Sequence, residues 1–290
     1  MLRDIQEKLK NWYSDTDYRV LFSISLIMLL VFSGFLVINR QQTGEWFKRG
    51  LNLRGGKQLS IYTSGEIDTK DLEDYLNDRG VESVVRSAVS ATGTEVMVQL
   101  PTDVDEDEVL GLIEEKGIDI ESHSFNEVGP ELGESFWKQS RLAMMVAFIF
   151  MGIVVFVVYK DFVPSVAIIF ASFTDIIGTL AVMQVLDIPL TLASFAGLLL
   201  VIGYSIDSDI VLTTRVLKRR KGTVNERTFS AMKTALTMTI TTLAALVVLY
   251  LVTTAPALRE VATVLIIALM IDLVATWFGN ASILRWWVER

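Results

Sequence analysis

The stretch VPSVAIIFASFTDIIGTLAVMQVLDIPLTLASFAGLLLVIGYSIDSDIVL, residues 163–212, decides how this chain folds. It is apolar for longer than a soluble core helix needs, yet Asp187-Ile188-Pro189 interrupts it near its middle. Proline does not continue a helix, and each half is long enough to cross a hydrocarbon layer roughly 30 Å thick at about 1.5 Å per residue. The stretch is therefore predicted to be a hairpin of two transmembrane helices, 163–186 and 190–212.

Working outward, further apolar runs at about 20–38, 142–159, 235–252 and 261–283 bring the expected spans to six. Backbone groups in lipid must pair within their own segment, so each run is expected to be helical. Hydrophobic residues make up 51% of the 290, mean hydropathy is +0.45, and the apolar residues are segregated into blocks. That pattern excludes an ordinary soluble domain. Arg3, Lys8, Lys10 and Arg19 precede the first run as they would a signal peptide. The run is longer than a signal core, however, and Ile38-Asn39-Arg40-Gln41 offers no small-residue cleavage site, so it reads as a retained anchor.

Lysine and arginine set the expected orientation. They precede the first span and fill the loop 213–234 (Arg215, Lys218, Arg219, Arg220, Lys221, Arg227, Lys233), whereas the links near 187 and 253–260 contain only Arg259. By the positive-inside rule the termini 1–19 and 284–290 are cytoplasmic and residues 39–141 lie outside a cell membrane. There are no cysteines, so disulfide and thiolate chemistry are excluded. Residues 40–138 carry 21 acidic and 10 basic side chains, an asymmetry that topology and solubility explain without a basic ligand.

Within that outer region, Leu59 and Ile61 alternate on a strand at 58–63. Asp68 then caps a helix at 69–79, with Leu72, Tyr75 and Leu76 at helical spacing and Gly80 closing it. Strands at 81–90 and 95–100 flank an Ala91-Thr92-Gly93-Thr94 turn; a second helix at 104–116 is capped near Asp103 or Asp105, and a last strand is expected at 118–125. The order β-α-β-β-α-β is that of a ferredoxin-like α+β domain, with one sheet face under two helices. His123 has no His, Cys or other partner nearby and is expected to be neither ligand nor catalyst.

The costly residues lie in the membrane. Asp175 and Asp272 fall near mid-span, where an ionised carboxylate costs roughly 2.5–3.5 kcal/mol on insertion scales. Each either takes part in proton or ion relay or is protonated glue between helices. Asp207 and Asp209 come toward the cytoplasmic end of the fourth span, and Arg215 is eight residues beyond Asp207, about two turns. Arg215 pairs with them in a relay or snorkels to headgroups; both readings stand. Gly178, Gly197, Gly203 and the threonines Thr234, Thr237, Thr239, Thr241 and Thr242 read as close-packing surfaces. No glycine-rich nucleotide loop of the G-x-x-x-x-G-K-[ST] kind occurs, so a gradient or a partner's ATP must supply any work. No cofactor and no metal site is expected.

Together, Val128-Gly129-Pro130 with Gly133 ahead of the second span, Asp175 in the third, and Gly203-Tyr204-Ser205 through Ile210-Val211 to Arg215 in the fourth resemble the SecF type of the SecD/SecF family of Sec protein-export membrane subunits. That family belongs to the resistance-nodulation-division superfamily. Two departures stand out: Asp207-Ser208 where the family usually has Asn-Asp, and Gly50-Leu51-Asn52-Leu53-Arg54-Gly55-Gly56, which is more similar to SecD. The resemblance implies a non-enzymatic accessory subunit of the translocase that pairs with SecD, acts beside the translocon channel on a translocating polypeptide among membrane lipids, binds no nucleic acid, and is driven by the proton motive force. It assigns the proton to Asp175 and a bias on its charge to Arg215; Asp272 enters from depth alone. A half-transporter of small molecules or lipids, and a structural assembly factor, are the competing readings.

Overall fold

The computed structural model describes residues 12–63, 65, 67–90, 93–101, 103–218, 222–253 and 255–290, apart from the side chains of 88–90 and 93. Arg3, Lys8 and Lys10, the turn residues Ala91 and Thr92, and Arg219, Arg220 and Lys221 of the basic loop lie outside the described residues.

Six helices among the described residues are long and apolar enough to cross a membrane. They are α1 (Tyr18–Thr43), α5 (Pro130–Tyr159), α6 (Phe162–Val185), α7 (Leu192–Lys218), α8 (Val224–Val252) and α9 (Pro256–Val274), the last continuing through a π-helical segment (Ala275–Asn280) into α10 (Ala281–Glu289). Most run past the apolar stretches that signalled them, because a helix once formed propagates until a cap ends it. Thr223 and Glu226, for example, form a reciprocal capping box that starts α8 well ahead of residue 235. Between α6 and α7 the chain reverses at Asp187, which adopts a left-handed conformation (φ 56°) that a short acidic side chain tolerates.

The most apolar windows of α6, α7 and α9–α10 are 50–61% buried, against 17% for α1, α5 and α8. The first three are therefore the core of the bundle and the others its flanks. Gly178 lets α6 approach Phe32 and Ile271, and Gly197 lets α7 approach Val264; an added Cβ would stand 2.9–3.0 Å from those side chains. Gly203 departs from expectation: nothing lies within 4 Å of its Cβ position, and it sits on an exposed face. Most of the threonine series departs too, since Thr237 and Thr241 are exposed and bond the carbonyls of Lys233 and Thr237 one turn back, while Thr239 alone is buried.

Between α1 and α5 lie a short helix α2 (Leu51–Arg54) and the units β1 (Gly56–Thr63), α3 (Thr69–Asp78), β2 (Val84–Ser90), β3 (Gly93–Leu100), α4 (Glu106–Glu115) and β4 (Ser122–Val128). The antiparallel sheet has the order β2-β3-β1-β4, the ferredoxin-like arrangement. Asp68 and Asp105 cap α3 and α4 through their side chains. Leu59, Ile61, Val96 and Val98 from the sheet meet Leu72, Leu76, Val109 and Ile113 from the helices in one core. The last strand lies four residues later than its alternation suggested. Its register, Gly56 opposite Val128 through Tyr62 opposite Ser122, is set by pairing with β1, while Ile118 and Ile120 pack on the core from the preceding loop.

The two glycine-rich motifs on either side of the domain form one junction. A Cβ on Gly133 would stand 2.6 Å from the Gly55 nitrogen, and one on Gly55, at φ 83°, would stand 2.6 Å from Pro130 Cα. Leu53 from this junction is buried in the membrane core beside Leu190 and Phe195. Gly50 N–H donates to the Leu190 carbonyl and Leu190 N–H to that of Lys48, each at 2.8 Å, tying the domain's root to the α6–α7 turn.

Candidate functional site

Asp175, Asp209 and Asp272 are all buried and meet where α6, α7 and α9 cross. The spacing of α7 explains how: Ser205, Ser208 and Asp209 are three and four residues apart and so share one face. Ser205 Oγ donates to Asp175 Oδ2 (2.5 Å) and Ser208 Oγ to Asp272 Oδ2 (3.0 Å). Thr276 Oγ1 lies 2.9 Å from Asp272 Oδ1 and 3.1 Å from Asp209 Oδ1, and Asn280 Nδ2 donates to Asp209 Oδ1 at 2.7 Å. The Asp175 and Asp272 carboxyls are thus held by two serines three residues apart on one face of α7. One carboxyl oxygen each of Asp175 and Asp209, and Asn280 Oδ1, have no hydrogen-bond partner. Such buried atoms are where a proton or water is accommodated.

Thr276 and Asn280 belong to the π-helical segment, a distortion that recurs at functional sites because it re-aims side chains and frees carbonyls. The Trp277 carbonyl of this segment accepts from the buried Tyr13 hydroxyl at 2.7 Å, and Arg285 donates to the carbonyls of Tyr13 and Thr16. Burial pushes the Tyr13 phenol well above the ordinary tyrosine range, opposed by nearby Arg285, so it remains a donor. Tyr13→Phe is expected to cost about 1–2 kcal/mol by removing that buried hydrogen bond. Thermal unfolding of the purified chain checks this; an unchanged Tm would show that the bond does not hold the segment.

Of the residues the sequence nominated, Asp175, Asp209 and Asp272 come together and Asp207 does not. Two positions on from a given residue, a helix has turned almost to its opposite face, so Asp207 is exposed while Asp209 is buried. Arg215 does not pair with these acids either. Its guanidinium bonds the Ser230 carbonyl, Ser230 Oγ (2.9 Å) and Thr234 Oγ1 (2.7 Å) on α8. Among the described residues no ion pair reaches the cluster, and no group of three or more His, Cys, Asp or Glu is arranged to hold a metal. His123 is exposed on β4, opposite Ile61. Ser205, Ser208, Thr276 and Asn280 were missed, though their spacing of three or four from one another and from the acids carried the signal.

A second polar node joins the domain to the domain-side ends of α6 and α9. Arg86 of β2 keeps a side chain only 17% exposed, 3.5 Å from Asp187, which also binds Lys48 at 2.7 Å. Glu260 on α9 accepts from Thr191 at 2.5 Å. Burial pulls the Arg86 guanidinium below its ordinary value, and Asp187, Glu260 and Glu73 oppose that pull. Asp272 lies twelve residues from Glu260 along α9, so one helix touches both nodes.

Fold and site thus define a six-span membrane protein with a ferredoxin-like domain between its first two spans and a cluster of carboxyls in its core. Residues 109–290 match the model of the family described as protein export membrane protein SecD/SecF, C-terminal. The protein-export membrane protein SecF of Methanothermobacter thermautotrophicus is 38% identical over 92% of this chain and 89% of its own length. That of Pyrococcus furiosus is 34% identical over 99% and 96%. The chain therefore belongs to the SecD/SecF family of protein-export membrane proteins. A crystal structure of SecDF, a translocon-associated membrane protein from Thermus thermophilus, shares the fold with a TM-score of 0.76 at 19% identity; the match covers 94% of this chain and 38% of that one.

Proposed function

We propose that the chain is an accessory subunit of the Sec translocase that pairs with SecD and converts the proton motive force into export of polypeptides, without enzymatic chemistry of its own. The observation that carries this reading is three carboxyls from three core helices gathered with no cation among the described residues paired to them. Three ionised groups there would each cost several kcal/mol, so the cluster is suited to holding and exchanging protons. A charge moved through 100 mV releases about 2.3 kcal/mol, comparable to the cost of shifting one packed helix. Asp175 and Asp272, held by neighbouring serines of α7, act as the exchanging pair; Asp209, held by Asn280 and Thr276, is the next station. Arg215 organises α8 rather than the acids. We further propose that residues 39–141 are exported, with both termini cytoplasmic, as the distribution of basic residues supports.

The pairing with SecD is supported by Asp207. It shares an exposed face of α7 with Ala196, Leu200, Gly203 and Tyr204, in mid-helix, where a carboxylate does not face lipid. A notch at Gly203 beside a polar side chain is what one membrane helix offers another. Co-expression of the full chain with its six-span homologue tests this. Stable co-purification is expected, and Asp207→Lys is expected to reduce recovery of the partner by about tenfold, a loss of about 1.4 kcal/mol. A chain that purifies alone under all conditions would contradict the proposal.

A further inference from the structure

Where the domain-side ends of α5, α6 and α7 meet the segment following α1, a cavity of about 600 Å3 opens beside the bundle. Its floor is apolar, formed by Met144, Leu180, Phe195 and Leu198, and its mouth passes Leu142 and Met145, each more than half exposed on the flank of α5. The rim is of another kind. Trp137 lies there with the Arg141 guanidinium 5.0 Å from its ring, and Trp46 with that of Arg40 at 4.5 Å. Lys138 sits on the same rim, 3.8 Å from Glu134, and Arg141 has no ion pair among the described residues.

The distribution of charge sharpens the picture. Residues 58–129 carry 18 acidic and four basic side chains, whereas 40–57 carry five basic and one acidic, with Lys138 and Arg141 on the adjoining helix. Cations are thus concentrated at the membrane edge of an otherwise acidic domain, beside two tryptophans of the kind that mark the headgroup level. A guanidinium stacked on an indole keeps its N–H edges free for a phosphate. An apolar slot open to the side, with Lys138 and Arg141 at the headgroup level above it, matches one class of molecule.

We propose that this cavity binds a single glycerophospholipid of net negative headgroup, one chain lying on Met144, Leu180 and Leu198 and the phosphate bound by Lys138 and Arg141. The inference does not depend on proton coupling, and its test does not measure export. The purified full chain is titrated with phosphatidylglycerol and, separately, phosphatidylcholine, and retained lipid is counted by native mass spectrometry. One tightly held phosphatidylglycerol is expected, preferred about tenfold or more, as two membrane-surface cations allow. K138Q/R141Q, at exposed positions, should bring the two lipids to parity while the fold, followed by circular dichroism, is unchanged. Met145→Trp, which narrows the mouth, should reduce retention of both lipids and keep the preference. Equal retention of the two lipids by the unaltered chain, or a preference surviving in K138Q/R141Q, would mean bulk annular lipid only and overturn the proposal. Undiminished retention in Met145→Trp would overturn the cavity as the seat of the chain.

Discussion

Asp175→Asn is expected to abolish the gradient-dependent component of export while the protein still folds, inserts and binds its partner. The amide keeps the size of the carboxyl, and its oxygen can still accept from Ser205, so the change in stability should stay within about 1 kcal/mol. What it loses is the ability to take up and release a proton opposite Asp272. The two alternatives separate cleanly: if Asp175 were only glue, Asn would serve nearly as well and export would persist. Export measured in inverted vesicles with and without an imposed proton gradient, alongside Tm in detergent, reads both quantities. Asp272→Asn tests the same pair from the other helix, with the added expectation that only one of Ser208 and Thr276 keeps its acceptor, since they bond different carboxyl oxygens and the amide has a single one.

The second large effect is structural and lies at the other end of the molecule. Gly133→Leu would force a side chain against the backbone of Gly55 and Arg54, 2.6–2.9 Å from the new Cβ, where no rotamer change gives relief. Overpacking of this kind costs about 1–3 kcal/mol, and more when backbone must move. Because the same junction seats Leu53 in the membrane core, the domain should detach from the α6–α7 turn. Faster proteolysis around residues 44–56, a lower Tm and loss of export with the acid cluster intact are expected. Gly129→Ala is the matched control, since its Cβ meets nothing within 4 Å. Equal proteolysis rates for the two variants would show that the junction is not tightly packed.

Much of this was legible in the sequence, for physical reasons that differ by element. Spans are long and backbone pairing in lipid admits few alternatives, so six apolar runs gave six helices. The sheet order followed from alternation and cap residues, but β4 slipped because Ile118 and Ile120 imitate a strand while register is decided across the sheet by β1. Depth singled out Asp175 and Asp272. It could not separate Asp207 from Asp209, since that depends on which face of α7 is turned inward, a property of packing. Arg215 was drawn toward the acids by its spacing along one helix, whereas Ser230 and Thr234 of the neighbouring helix hold it. The π-helical segment left no trace in the sequence, because it arises from the contacts of Thr276, Asn280 and Tyr13 with partners far away in the chain. The junction was visible as two motifs, Gly50–Gly56 and Val128–Gly133, and invisible as one object until the close approach of Gly55 to Pro130 joined them.

The central claim is that protons pass through the Asp175–Asp272–Asp209 cluster. The most direct measurement is proton flux into proteoliposomes containing the chain with the proposed partner SecD and the translocon channel, followed with an entrapped pH-sensitive dye during export of a substrate polypeptide. Flux that accompanies export in the unaltered complex and falls to the leak of empty liposomes in Asp175→Asn is the predicted result. Equal flux in the two complexes, or export proceeding with no flux in either, would contradict it.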